Sequence, residues 1–382
     1  MQKVLVANRG EIALRVFRAA RELGMTTVAV VAPDDTGSLH ARSADETVEI
    51  ASYLDPAEHI RAAKESAADA IHPGYGFLAE NGDFAETVVA AGLTWIGPPP
   101  DALRAGGDKL AAKRIAVQAG VPTVPEATEP PLIVKAAAGG GGRGMRVVRD
   151  SAELDDALAA ARREAQAAFG DGTVYLERYV ERPRHVEIQL LADAHGTVLA
   201  LGERDCSVQR RHQKLLEESP SPALDPDLRG RMSDAAIRFA KAIGYVGAGT
   251  AEFMLDGREF FFLELNGRIQ VEHPVTEEVT GVDLVQWQLR IAQGEPLEAS
   301  NRLLRGHAVE VRVYAEDPVT FLPQAGTIEA LRLPTTIRVE AGVEQGDEVG
   351  TSYDPMIAKL IATGATREET LDRLAAALSE TH

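Results

Sequence analysis

The chain has 382 residues, 45 % hydrophobic and 26 % charged, the profile of a globular protein large enough for two or three domains. Fifty-eight acidic against forty basic side chains give a formal charge of −18, which argues against nucleic acid and anionic membranes as partners. No apolar run approaches the roughly 20 residues that span a bilayer, the opening MQKVLVANRG reads as a strand and not as a signal peptide, and the single cysteine, Cys206, excludes an intrachain disulfide framework, so the expectation is a cytoplasmic protein.

Residues 3–7 (KVLVA) and 26–32 (TTVAVVA) flank a helical pattern at 11–23, where Ile12, Val16, Ala19, Ala20 and Leu23 recur at spacings of three and four. Helix at 56–68, strand at 69–72, helix at 83–91 and strand at 94–96 continue the alternation, which predicts a parallel sheet covered by helices. GPPPDA at 97–102 closes this domain. Asn8-Arg9-Gly10 lacks the spaced glycines of a dinucleotide fingerprint and reads as a structural turn. HPGYGF at 72–77 sets Tyr75 and Phe77 in a loop at a strand end, where sheets of this class bind ligands; a packed aromatic turn is the alternative.

A helix at about 107–119 and the connector GVPTVPEATEPP precede KAAAGGGGRGMRVV at 135–148, a hairpin whose loop is glycine. Ordering a glycine costs roughly 0.5–1 kcal/mol relative to alanine, so five in six positions need a compensating use. Backbone N–H groups approaching phosphate, with Lys135 and Arg143 beside them, supply one; a flexible linker is the other reading. The run lacks the lysine of a Walker loop and opens no helix. A helix from Ser151 to Gly170 completes what looks like a lid on a larger body. From 173 onward the chain is β-rich, with a helix at 227–243, a hairpin at 250–266 and a last amphipathic helix in TREETLDRLAAALSETH.

Glu252 and Glu264 sit in hairpin strands otherwise built of Phe, Met and Leu, where ionised carboxylates rarely go unpaired. Two carboxylates about 4 Å apart repel by about 4 kcal/mol at an effective dielectric near 20, which a divalent cation reverses; two glutamates held in salt bridges at the strand ends are the alternative. Register decides whether they meet. A two-residue Asp256-Gly257 turn puts them on opposite faces, whereas a three-residue or bulged turn puts Glu252, Met254, Phe260, Phe262 and Glu264 on one face. Asn266, Arg268, Gln270 and Glu272 then follow at two-residue spacing, which in an extended chain points an amide, a guanidinium, an amide and a carboxylate to one side. That set suits a small planar oxyanion beside a base. CSVQRRHQKL at 206–215 gathers Arg210, Arg211, His212 and Lys214 in an acidic protein; Cys206 itself reads as a packing residue.

The order ANRGEIALR, HPGYGFLAEN, GDKLAAK, KAAAGGGGRGMRVV, ERPRHVEIQ, RDCSVQRRHQK, GAGTAEFM, NGRIQVEHPVTE, VRVYAEDP closely resembles the biotin carboxylase subunit or domain of biotin-dependent acyl-CoA and pyruvate carboxylases, from residue 3 to about 378. The resemblance implies a multidomain α/β and α+β molecule with an ATP-grasp fold: an N-terminal Rossmann-like domain at 1–106, linker helix and glycine-loop lid at 107–180, and a β-rich body with the C-terminal domain at 181–382. It implies that Lys109 and Lys135 hold phosphates, that Glu177 and the Val180 backbone hold adenine, and that His185, Gln209 and His212 hold the rest of the nucleotide. Gly140, Gly141, Gly142, Met145, Arg178 and Met254 join that nucleotide set. Glu252, Glu264 and Asn266 would bind Mg2+, or Mn2+. Lys214, Arg268, Gln270 and the Val271 amide would hold bicarbonate, and Glu272 would deprotonate it for attack on the γ-phosphate. Phosphate from the resulting carboxyphosphate would take the biotin proton, Arg312 would steady the enolate, and Tyr75 would lie beside the ureido ring.

The implied partners are a biotin carboxyl carrier protein or domain, a carboxyltransferase and a second copy in a homodimer, with Arg15, Arg18 and Arg338 near its interface. Three departures from the family pattern stand out. Ala138 replaces a glycine, Gly267 stands where threonine or proline is common and is expected to loosen its strand, and a helical piece before LIVK is missing. The family's helices after about 378 are absent as well, so a shortened or excised piece is expected. Two alternatives remain open from the residues: another ATP-grasp carboxylate ligase, which needs no RIQVEHP with Arg312, and a weakly active nucleotide-binding scaffold.

Overall fold

The computed structural model describes residues 1–137, 145–210, 213–298 and 304–382. The alternation at the N-terminus forms the expected parallel sheet, with strands in the order Glu46–Glu49, Thr26–Val31, Lys3–Val6, Ala70–His72, Thr94–Trp95. Helix Gly10–Glu22 buries Ile12, Val16, Ala19 and Ala20, four of the five residues that define its period. In this N-terminal part three elements have no counterpart in the sequence reading: helix Leu39–Ser43, edge strand Glu46–Glu49 and helix Pro100–Gly107; further on, helices His273–Thr280 and Leu284–Ala292 have none either. The edge strand buries only Val48, too little for a visible alternation. Pro100 stands in the first turn of its helix, a start signal that GPPPDA disguises as a loop. The helix expected at 107–119 therefore begins at Lys109, behind the capping carboxylate of Asp108, which accepts from the Ala111 N–H.

The lid is a three-stranded antiparallel sheet, Arg146–Val148, Leu132–Ala136, Val174–Arg178, packed on helix Leu154–Phe169. Its fully buried core is small: Leu132, Val134, Val148 and Ala161. The body is an eight-stranded antiparallel sheet in the order Glu259–Asn266, Gly247–Asp256, Arg184–Ala192, Val198–Arg210, Gln213–Ser219, His307–Tyr314, Met356–Gly364, Arg338–Ala341. Under helix Pro226–Ala242 one face of it is apolar, with Ile188, Leu190, Phe253 and Phe262 against Met232 and Phe239. The opposite face is polar.

The glutamate hairpin corrects the expected register. Gly257 and Arg258 form a two-residue turn, so Leu255 faces Phe260 and Phe253 faces Phe262. The register then slips by one, leaving Leu263 as an extra residue, and Glu252 comes to lie opposite Glu264. The bulge thus sits inside the strand and not at the turn. Phe260 and Phe262 stay on the core face with Phe253, while Glu252, Met254 and Glu264 share the other; the expectation of all five residues on one face is wrong because alternation reverses at the bulge.

The run from 266 to 272 also departs from expectation. Its strand ends at Asn266, and Glu272 is the N-cap position of helix His273–Thr280, with Pro274 in the first turn. The four polar side chains therefore come together by a turn and not along an extended edge. Gly267 is tightly held: its N–H donates to Glu80 Oε1 at 3.0 Å, and a Cβ there would stand 2.7 Å from Leu103 Cδ2. The hydrogen bond to Glu80 ties the backbone down at this glycine, in place of the loosening expected of it.

Candidate active site

Four adjacent strands set Arg204, Glu187, Glu252 and Glu264 in one cross-strand row on the polar face. Like charges opposite one another destabilise a sheet unless cations intervene. Lys214 intervenes for most of the row: its three ammonium protons go to Glu187 Oε2 (2.7 Å), Glu252 Oε1 (2.9 Å) and Glu272 Oε1 (2.7 Å). Glu252 Oε1 also accepts from Asn266 Nδ2 and Gln270 Nε2, each at 2.8 Å, and His185 Nε2 stands 2.8 Å from Oε2. Burial alone would lift the Glu252 carboxyl, yet Lys214 and His185 hold it well below the usual range.

Glu264, at the end of the row, makes no hydrogen bond or ion pair within the described residues. Burial and then the charge of Glu252 raise its pKa, while Lys109, first residue of its helix, opposes the rise. An acid lifted by a second acid on the neighbouring strand is a place where a hard divalent cation replaces a proton, and two carboxylates with an amide oxygen suit Mg2+ or Mn2+. The donor set fits. The Asn266 Nδ2 donates to Glu252 and its Oδ1 accepts from Arg268 Nη2 (2.9 Å), so presenting that oxygen to a metal beside Glu252 requires the amide to turn.

Glu272 lies at the other side of Lys214 and is 2 % exposed. Its Oε2 accepts from Arg312 Nη2 at 3.1 Å, and Arg312 Nε donates to Glu217 Oε1 at 2.8 Å. Burial would raise Glu272, but Lys214, then Arg312 and Arg204, keep it well below the ordinary carboxylate range, so it is ionised at neutral pH. Arg268 pairs with Glu80 (3.1 Å), and the Val271 carbonyl accepts from Lys359 Nζ at 2.8 Å. Beside this cluster opens a cavity of about 470 Å³ lined by Tyr75, Phe77, Arg268, Val271, Arg312 and Met356. The Tyr75 hydroxyl donates to Glu11, and the loop that carries it is pinned by Asn8 Nδ2, which donates to the carbonyls of Pro73 and Tyr75.

On the lid side, Glu177 accepts from Lys135 Nζ at 2.7 Å and from Lys113 Nζ at 2.8 Å. Val180 is buried, Arg178 lies over the Phe261 ring, Met145 is exposed, and Gln209 donates to the Cys206 carbonyl. Met254 pairs with His185 across strands. Gly140, Gly141, Gly142 and His212 lie outside the described residues. Arg15, expected near a dimer interface, is 2 % exposed and bound to Glu277 (2.9 Å) and Asp283 (2.7 Å), which places it in the interior. Cys206 is fully buried, as a packing residue should be.

Lys113, Glu187, Arg204 and Glu217 were not singled out from the sequence. For one of them, Glu187, a signal existed: in RHVEIQLLAD the polar Glu187 and Gln189 alternate with Val186, Ile188 and Leu190, which reads as one wet face although both are fully buried. Three family models match the chain: biotin carboxylase, N-terminal domain, at residues 1–103; carbamoyl-phosphate synthase L chain, ATP binding domain, at 109–300; and biotin carboxylase C-terminal domain at 310–382. The chain is 49 % identical to biotin carboxylase of Haemophilus influenzae, covering 100 % of this chain and 91 % of that one. It is 50 % identical to the mitochondrial methylcrotonoyl-CoA carboxylase subunit alpha of Dictyostelium discoideum; all of this chain aligns, and it spans 58 % of that relative. The biotin carboxylase domain of Hydrogenobacter thermophilus 2-oxoglutarate carboxylase, solved with MgADP and bicarbonate, superposes with a TM-score of 0.95 at 45 % identity, over 100 % of this chain and 90 % of that one.

Proposed function

This chain belongs to the biotin carboxylase family, and on that premise we propose that it carboxylates biotin with bicarbonate at the expense of MgATP, through carboxyphosphate. The observation that carries the reading is the meeting of the Glu252–Glu264 pair with the Lys214–Glu272–Arg312 cluster on one sheet face. Glu252, Glu264 and Asn266 hold the divalent cation, which supplies charge neutralisation on the transferred phosphoryl oxygens. Lys109 and Lys135 bind phosphate oxygens; Glu177, Arg178, Val180, His185, Gln209, His212, Met145, Met254 and the glycines 140–142 enclose the nucleotide. For Lys135 this means leaving Glu177 when ATP arrives.

Bicarbonate binds between Lys214, Arg268, Gln270 and the Val271 amide. As it draws on the Lys214 ammonium, that cation's hold on Glu272 weakens, and the carboxylate gains the basicity needed to take the bicarbonate proton. Arg312, between Glu272 and the cavity, stabilises the biotin enolate, and Tyr75 flanks the ring. The cavity admits biotin delivered by a carrier protein or domain, and carboxybiotin then leaves for a carboxyltransferase. The working division of the chain is 1–106, 107–180 and 181–382. A homodimer fits the family, with the interface arginines reduced to Arg18 and Arg338. Among the described residues no helix is long and apolar enough to cross a membrane.

Phosphate release by the purified chain with MgATP, measured with and without bicarbonate and free biotin, tests this reading. Dependence on both is expected. Release that needs another acid, or tight ATP binding without turnover under any condition, would replace it with a different ligase or a scaffold.

A further inference from the structure

Arg204 is wholly buried in strand Val198–Arg210, lies outside the lining of the cavity, and is not among the residues proposed to hold nucleotide, bicarbonate or biotin. A lone guanidinium at that depth is costly unless every donor is satisfied. All five N–H groups find acceptors: Nε donates to Glu187 Oε1 (2.5 Å), Nη1 to Gln189 Oε1 (2.6 Å) and Thr276 Oγ1 (2.9 Å), Nη2 to Thr250 Oγ1 (3.1 Å) and Gln270 Oε1 (2.6 Å). These acceptors come from four pieces of chain: strands Arg184–Ala192 and Gly247–Asp256, the turn that carries Gln270, and helix His273–Thr280, which Glu272 precedes.

Two consequences follow for the anion-binding groups. By taking Gln270 Oε1, Arg204 fixes which end of that amide faces the site, so its Nε2 is directed toward Glu252. By taking Glu187 Oε1, it leaves Oε2 for Lys214 and so sets where the ammonium stands between Glu252 and Glu272. Its bond to Thr276, one turn into the helix, holds the end from which Glu272 projects. A lysine has three donors and no fork, and would leave at least two of the five buried acceptors unpaired.

We infer that Arg204 is the positioning residue for bicarbonate: it never contacts the anion but holds Gln270, Lys214 and Glu272 in mutual register to receive it. This rests on the functional reading above. The experiment compares the full chain with Arg204→Lys and Gln270→Ala singly and together, by steady-state kinetics and by NMR of 13C-bicarbonate binding in the presence of MgADP. R204K is expected to raise the bicarbonate KM by about tenfold and weaken bicarbonate binding in parallel, with the ATP KM changed less than about twofold. On a Q270A background the same substitution is expected to add clearly less than its single effect.

Equal shifts in both substrates' KM, or fully multiplicative effects, would make Arg204 a general scaffold residue and overturn the inference. If R204K does not fold, Thr276→Val, which removes one acceptor and no charge, takes its place: a rise of about threefold in bicarbonate KM alone is expected, and an unchanged value contradicts it. Wild-type protein is assayed alongside. Loss of bicarbonate dependence there removes the functional reading itself, whereas its presence with unaltered variants removes only the inference.

Discussion

At the lid, one lysine from strand Leu132–Ala136 and one from the linker helix Lys109–Gln118 share one carboxylate, Glu177, over a small core of Leu132, Val134, Val148 and Ala161 among the described residues. On the body's polar face the ratio is reversed: one lysine serves three carboxylates, each fixed by further partners, above a core that continues through Phe253, Phe262 and Phe239. A cation with three fixed acceptors keeps its place even when an arriving anion weakens one of those bonds, while two cations on one acceptor have one to spare. On the function proposed above, the body presents a fixed constellation, and the lid is expected to hand a lysine over when a better anion, the ATP phosphates, arrives. The small core of the lid keeps that exchange local.

If this contrast is right, the largest losses come from the body. Glu272→Gln should lower bicarbonate-dependent turnover by roughly 10²–10⁴-fold, the range for removing a general base, with MgATP affinity by calorimetry essentially unchanged; equal loss of both would mean Glu272 is a structural glutamate. Glu264→Gln should cost on the order of 10²-fold in kcat, in the range for losing one charge-stabilising group, and a Mg2+ titration should show its midpoint moved upward. In the lid, Lys135→Met is expected to raise the ATP KM about tenfold and Lys113→Met less than about threefold, since only the first is handed to phosphate; equal effects would erase the distinction.

The smallest effect lies at the far edge of the body sheet, away from the site, at Glu340. Burial would raise its carboxyl, but Arg18 and Arg338 bring it down to about 2. A depressed carboxylate contributes stability that is fully present above its unfolded value near 4.5 and is lost as pH falls through 2. Glu340→Gln should flatten the unfolding free energy between those pH values, by roughly 3 kcal/mol at most, and leave turnover at pH 7 unchanged.

Helical periods and parallel strands were legible because they repeat, as Ile12, Val16, Ala19 and Ala20 do along one buried stripe. The bulge at Leu263 was not, because a single inserted residue leaves hydrophobic composition untouched while reversing which side chains share a face. For Asn266, Arg268, Gln270 and Glu272 the two-residue spacing suggests an extended edge that does not exist; a turn and a helix cap bring the four together instead. Arg204 escaped because its importance lies in five partners scattered from Glu187 to Thr276, none adjacent in sequence. Buried polar networks are written in three dimensions, and the chain shows only their members.

The central claim is that the acidic pair and the bicarbonate groups occupy one face within reach of each other. With Mn2+ and ADP bound, relaxation of 13C-bicarbonate measures that proximity. Strong paramagnetic enhancement that is lost in Glu264→Gln is the predicted result; enhancement that persists in the variant, or none in the wild type, would separate the two clusters and contradict the account.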